Sequence, residues 1–465
     1  MHSCNAYRQE RQAWARGLRR RVAACTALLA VWTLAACDKL LEVELPGTVD
    51  AAALEDPALA QTLIDGVVGD FECAWNTYTA AAAHHSDEWI PASGNLNMRN
   101  WGQRKIRDSD AIMATSDCTL NYGLYTPLQT ARFQADDVFN RLGEFSDADV
   151  PDRVSMQATA RAHGGYALIA LGEGFCEMAV DGGPLMTPAE VLQLAETTFD
   201  DAITIGQQSG NDDARLMGLI GRARVRLWLG DFDGAIADAS EIPSGYALVA
   251  TRGESELRRR NFNVEFINGR DRDFGRNASI APDYRDLGID AMGRPTETTA
   301  NGETPDARVS VANTPGQTGF DFVTPYWYHT KYTTRGTPVP IASYDEAQLI
   351  IAEAAARDGD LPTARTAING LRTAAGLPTL DPGVFTTQDE MIALVIEERR
   401  RELFQEAGHR LNDMIRFRGT GFEIPFLGEP GSVHPNGTDQ TGDVYGTTTC
   451  FPLPLVERNG NPNIP

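Results

Sequence analysis

Along residues 131–142 the apolar side chains fall at Ala131, Ala135, Val138, Phe139 and Leu142. Those intervals trace one face of a helix and predict an amphipathic α-helix. Residues 155–172 repeat the arrangement in an alanine-rich form, with Ala158, Ala162, Tyr166, Ile169 and Ala170 on one side. The next stretch, "LMTPAEVLQLAETTFDDAITIG", opens on Thr187-Pro188. This reads as an N-cap followed by proline at the first helical position, with Glu190 in the first turn.

Two later segments each predict a pair of helices around a tight turn. In "RARVRLWLGDFDGAIADASEIP", residues 222–243, Gly230-Asp231 makes the turn and small alanines let the helices pack closely. In "YDEAQLIIAEAAARDGDLPTARTAINGLRTAAGLP" the turn is Gly359-Asp360. One stripe there is Ala347, Ile350, Ile351 and Ala354; the other is Ala364, Ala367, Ile368, Leu371 and Ala374. Both segments resemble part of a tetratricopeptide repeat. Between them, about residues 244–340, no helical period is sustained and Gly, Pro, Asn, Thr and Arg dominate. Loops of this length are usually functional or disordered, and the ten aromatic residues from Phe262 to Tyr332 argue against disorder. Residues 76–130 and 419–465 share that character. The expected fold is therefore mainly α. Tetratricopeptide-like hairpins (about 54–75, 131–243 and 341–418) form a scaffold, and the three insertions form a large irregular lobe.

The N-terminus departs from this pattern. Residues 1–36 carry six arginines and one acid, Glu10, and end in a 15-residue apolar run from 22 to 36. The run is short of the ~20 residues that span a bilayer, so the segment reads as an export signal. Its end, Leu34-Ala35-Ala36-Cys37, resembles the bacterial lipobox. That resemblance implies cleavage before Cys37 and acylation of it, leaving residues 37–53 as a lipidated tether. Loss of residues 1–36 takes the net charge from −23 to −28 (six Arg minus one Glu removed). So acidic a chain is a poor partner for nucleic acid. Four further cysteines, Cys73, Cys118, Cys176 and Cys450, allow two disulfides in three connectivities, or free thiols. Cys73–Cys118 with Cys176–Cys450 is favoured, because the second bridge would pin an irregular C-terminal tail to a helical hairpin.

Taken in order, several stretches resemble the SusD/RagB-like nutrient-binding lipoproteins. They are the lipobox, "HSDEW" at 85–89, the repeat-like hairpins, "IEERRRELFQEAGHRLNDMIRFRG" at 396–419 and the closing "CFPLPLVERNGNPNIP". The resemblance implies a non-enzymatic, surface-exposed lipoprotein of the outer membrane. Such a protein caps a SusC-like TonB-dependent β-barrel transporter and captures oligosaccharides, or in some branches peptides. No cofactor is implied.

The charged segment at 396–419 is expected to be a structural ion network of Glu397, Arg401, Glu406, His409, Arg410 and Asp413. On one continuous helix Glu397–Arg401 and Glu406–Arg410 would be i, i+4 pairs. Glu406-x-x-His409 matches half of a di-iron site, but the chain has no second Glu-x-x-His, so no metal is expected. In "HHSDEWI", Asp87 and Glu88 are adjacent and would point apart if extended, which suits neither hydrolysis nor a glycosidase pair. Sugar binding wants aromatic faces beside polar groups. The candidates are Trp89, Trp101, Tyr284, Trp327 and Tyr328, with Asn97 and Arg99 as hydroxyl partners. A lipid-anchored glycan hydrolase and a protein-binding repeat scaffold are the rival readings. Replacing Cys37 by Ser should move the protein from the membrane to the soluble fraction on fractionation; persistent membrane retention would refute the lipid anchor.

Overall fold

The structure, a computed structural model, describes residues 54–116, 118, 123–267 and 275–465. The segments expected to be an export signal and a tether, with Cys37, lie outside the described residues. Residues 57–465 cluster as one unit, built around helix α1 (Ala60–His85). From Phe71 to His85 every residue of α1 is buried. A helix enclosed on all sides has no polar face. Its sequence therefore carries no amphipathic stripe, and the helix runs ten residues beyond the expected end at 75. Among the polar side chains this buries, Asn76 donates to the Arg260 carbonyl at 2.7 Å and accepts from the Phe262 amide at 3.1 Å, tying the helix to the long insertion.

A short helix α2 (Leu96–Gly102) is followed by α3 (Tyr125–Glu144) and α4 (Arg153–Gly174). Then come α5 (Pro188–Ser209), α6 (Asp212–Leu229) and α7 (Phe232–Ala239). Thr187 and Glu190 form a full capping box at the start of α5. After the long insertion, α8 (Tyr344–Asp358) and α9 (Leu361–Ala374) make the second clear hairpin. Gly230 and Gly359 sit at φ +87° and +84°, the left-handed conformation a helix stop requires there, and Asp231 and Asp360 cap the next helices. Successive helices from α3 to α9 pack on one another, α7 directly on α8. The repeat-like stack thus continues across the insertion.

That continuity follows from how the insertion is closed. Strand β2 (Ala247–Ala250) pairs antiparallel with β9 (Val339–Ser343), Ala247 opposite Ser343, so the chain leaves and re-enters the stack at one point. The remaining strands are short. β1 (Trp89–Pro91) pairs with β3 (Ala278–Ile280), and β7 (Val311–Thr318) with β8 (Pro325–His329). β4 (Gly288–Ile289) lies between β5 (Pro295–Thr296) and β6 (Thr304–Pro305). Trp89, Met98, Phe262, Tyr284, Leu427 and Tyr445, drawn from all three insertions, share a second core with Phe404. Two disulfides, Cys73–Cys118 and Cys176–Cys450, cross-link the chain. Beside the second, Phe451 donates to the Gly174 carbonyl and the Cys176 amide to the Phe451 carbonyl, docking the tail on the end of α4.

The charged segment differs from its expectation. It forms two helices, α10 (Gln388–Glu402) and α11 (His409–Arg416), with Gln405, Ala407 and Gly408 all at positive φ between them. Glu397 and Arg401 do pair, at 2.5 Å. Glu406 and Arg410 do not: the break turns Glu406 toward Lys331, at 2.6 Å, and Arg410 toward Asp87. The physical reason is burial. Phe404 leaves the helix to stack on Tyr284, ring centroids 5.2 Å apart, in the lobe core. His409 stays neutral; burial and the surrounding arginines push its imidazole well below the ordinary range.

Helices α4 and α6 approach closely around Phe199 of α5. A Cβ added at Gly165 of α4 would lie 2.4 Å from its ring, and one at Gly221 of α6 2.3 Å. The Gly165→Ala variant should lose about 1–3 kcal/mol in urea unfolding through overpacking. Gly370→Ala, on the exposed side of α9 with open space around it, should gain about 0.5–1 kcal/mol. Equal effects at the two positions would refute this account of the interface.

Candidate functional site

The three insertions meet on one face of the lobe. After β1 the chain turns at Ser93-Gly94, and the Asn95 side chain caps α2 by accepting from the Asn97 and Met98 amides at 2.9 and 3.4 Å. The tip of the β7–β8 hairpin, residues 319–324, lies against this turn: the Asp321 amide donates to the Ala92 carbonyl at 2.9 Å. A Cβ on Gly94 would come within 2.8 Å of the Phe320 carbonyl oxygen, so the approach needs glycine. The third insertion closes the group. Gln440 donates to the Pro91 carbonyl and to the Thr324 hydroxyl, and Gln103 donates to Asp439 at 2.7 Å.

Arg99, one turn into α2, reaches Asp443 at 2.7 Å and Asp439 at 3.8 Å. Burial pushes the Asp439 carboxyl up, but donors from Thr441, Gln103 and the Asp443 amide outweigh it and hold the group below its usual range. Among these polar groups stand three exposed apolar side chains, Leu96, Phe322 and Val323, at 70, 81 and 56 % exposure. An apolar cluster rimmed by amides, a guanidinium and carboxylates suits a ligand with both C–H faces and hydroxyls.

The residues singled out from sequence divide. Asn97 is exposed at this face and Arg99 is half-buried in it. Trp89, Trp101 and Tyr284 are corrected: all three are buried, Trp89 and Tyr284 completely, and offer no face to a ligand. They fill the two cores, where large rings bury the most apolar area. Tyr284 also donates to Asp87 at 3.1 Å. Trp327 and Tyr328 are half-buried on β8; the Arg285 guanidinium lies 4.8 Å over the Trp327 ring, and Tyr328 stacks on Tyr326 at 5.7 Å. Phe322 is not among the residues the sequence singles out. Its signal was available in "GFDFVTP", where Gly and Asp mark a turn and leave an aromatic no strand to sit in.

The "HHSDEW" motif lies beneath this face. Asp87 pairs with Arg410, and Glu88 accepts from the Gln405 amide at 2.7 Å. Burial pushes the Glu88 carboxyl up to about 8 and the His84 and His85 imidazoles down to about 4. Among the described residues no group of three or more His, Cys, Asp or Glu side chains is arranged to hold a metal ion. A separate cleft of about 280 Å³ between α1 and residues 252–259 is lined by Asp65, Asp70, Glu72, Arg252, Arg258 and Arg259. Its charges largely answer one another, Arg258 with Asp70 at 3.3 Å and Arg259 with Glu72 at 3.8 Å.

Residues 270–464 match the family model described as the SusD family. Solved structures of that kind align along nearly the whole chain. The chain has a SusD-like fold. A SusD-like carbohydrate-binding protein from Bacteroides fragilis aligns with a TM-score of 0.64 at 14% identity, over 88% of this chain and 99% of its own. A SusD superfamily protein from Bacteroides vulgatus gives 0.62 at 14%, over 89% and 98%. Surface glycan-binding protein A from Bacteroides uniformis gives 0.60 at 14%, over 87% and 98%. At such identities the likeness establishes the SusD-like fold, and the ligand has to be argued from this chain's own surface. No curated protein matches the chain.

The buried histidines give the SusD-like chain an acid-labile interior. Unfolded histidine protonates near 6.5, whereas His85 in the native state resists down to about 4. Protons therefore bind the unfolded chain first at this residue, and the contribution of His85 to stability falls as pH drops from 6.5 toward 4. Glu88 acts in the opposite sense and is common to wild type and variant. In His85→Gln, the fall in melting temperature between pH 6.5 and 4.5 should be smaller than in wild type; an identical fall would remove His85 from the acid response.

Proposed function

We propose that this SusD-like chain is a non-enzymatic capture protein, lipid-anchored through Cys37 on the outer membrane. It binds nutrient oligosaccharides, or possible peptide ligands, on the lobe face and delivers them to a SusC-like TonB-dependent transporter. In this reading residues 1–36 are the export signal, 37–53 the tether and 54–465 one SusD-like domain.

The observation that carries the reading is the convergence of three separate insertions on one face, with apolar side chains exposed among amide, guanidinium and carboxylate groups. Neighbours in fold are described as carbohydrate-binding, laminarin-binding and glycan-binding, which supports a glycan as the ligand class. Among the described residues no helix is long and apolar enough to cross a membrane, which is compatible with anchoring by lipid.

The hydrolase reading is disfavoured by the state of two acids at and beneath the lobe face, Glu88 and Asp439. A general acid needs a raised pKa at an accessible position. Glu88 is raised but 3% exposed, while Asp439, at the face, is lowered and tied to Arg99. The tagged, lipidated protein, isolated from membranes in mild detergent, should carry a large TonB-dependent barrel identifiable by mass spectrometry. Recovery of the protein alone would overturn the transport partnership.

A further inference from the structure

The tip of the β7–β8 hairpin holds an aromatic ring where the hydrophobic effect alone would not leave it. Phe322 is 81% exposed and its backbone is left-handed, φ +60°. Either feature costs free energy, and a bulky residue adopts such a backbone only when its surroundings impose it.

The imposing group is Asp321. One carboxylate oxygen accepts from the Val323 and Thr324 amides, each at 3.0 Å, and the other from the Thr324 hydroxyl. The Phe322 amide donates to the Gly319 carbonyl at 3.1 Å, and the Gly319 amide to the Thr324 carbonyl at 2.9 Å. The tip is also fastened from outside. Besides the bond from the Asp321 amide to Ala92, the Phe320 amide donates to the Arg276 carbonyl at 3.0 Å, and the Arg276 guanidinium lies 4.6 Å over the Phe320 ring. Gln440 of the last insertion donates to the Thr324 hydroxyl. All three insertions therefore hold one loop, and the largest side chain that loop projects into water is Phe322.

We propose that Phe322 is the ring against which a sugar of the captured glycan stacks, and that Asp321 is the positioning residue that keeps the ring presented; this rests on the carbohydrate-capture reading. A phenyl ring has no hydrogen bond to offer, so its contact is with a C–H face. Leu96 and Val323 extend the apolar contact, while Asn97 and Arg99 provide polar groups on the neighbouring turn. Presenting the ring before the ligand arrives removes the ordering cost from the binding step. A tip that sampled other conformations would weaken apparent affinity by the fraction of time the ring is misplaced.

The variants separate contact from positioning. Phe322→Asn removes the ring with a residue that tolerates left-handed backbone, and Phe322→Tyr restores a ring. Asp321→Ala releases the tip, whereas Asp321→Asn keeps an acceptor for the two amides. Binding would be read by affinity electrophoresis in laminarin, amylopectin, xylan and pectin gels, with a casein peptide digest as a non-carbohydrate arm, and melting temperatures would be recorded for every variant. Wild type should be retarded by at least one glycan. Phe322→Asn and Asp321→Ala should each weaken that binding by at least about fivefold at unchanged melting temperature, with Phe322→Tyr and Asp321→Asn close to wild type. Glycan binding by wild type that Phe322→Asn leaves unchanged would overturn the role of the tip while preserving the capture reading. Binding of the peptides alone, or of nothing, would overturn both.

Discussion

Three consecutive arginines on α10 hold the two halves of this protein in register. Arg399 pairs with Asp413 of α11 at 2.9 Å, and Arg416 of α11 continues to Glu353 of α8. Arg400 reaches the Asp283 carbonyl and Glu297 in the lobe, at 3.1 and 3.0 Å. Arg401, completely buried, donates to the Gly288 and Thr296 carbonyls and to Asp306. A single helical turn thus fastens the helical stack on one side and the lobe on the other. Buried charges of this kind are expensive to desolvate and contribute through geometry: a guanidinium whose partner is removed costs about 3–5 kcal/mol, so alternative packings are penalised.

The electrostatic state of the network follows the same balance. Burial pushes the Asp413 carboxyl up, but the guanidinium groups of Arg399 and Arg416 overcome it and hold the acid at about 2. Glu398, between Arg308 and Arg372, is held low in the same way. Glu88 has the Gln405 amide but no guanidinium pair, and there burial wins. Asp413 and Glu398 are thus paired acids at the junction of scaffold and lobe, and Glu88 is a raised acid closed off from water. None of these three acids is an accessible general acid.

That surface depends on the scaffold in a specific way. Because β2 and β9 bring the ends of the long insertion together, α7 packs on α8 as though the repeat-like stack were uninterrupted. The cost of closing a long loop grows only with the logarithm of its length, so the excursion burdens the stack little. The lobe obtains its order from its own core and from the guanidinium groups of α10. On the proposed reading, the hairpin tip can then be held in a strained conformation because all three insertions fasten it.

The order of residues is enough to specify the helices whose burial is one-sided, their caps and turns, and the division into a repeat-like stack and a loop-rich lobe. An amphipathic stripe, a Thr-Pro cap or a Gly-Asp turn is a local signal that needs no knowledge of the partner. It could not show that α1 runs to His85, because a helix buried on every side has no polar face to set its period. Nor could it show that α10 and α11 are separate, since the break is imposed by Phe404 seeking the lobe core. The candidate site was legible only in part. Asn97 and Arg99 stand at the face, yet Trp89, Trp101 and Tyr284 are core residues, because an aromatic side chain has the same identity whether it meets a ligand or the interior. Only the tertiary structure decided which rings face water: exposure depends on how three insertions far apart along the chain close over one another, and that is not encoded in any one of them.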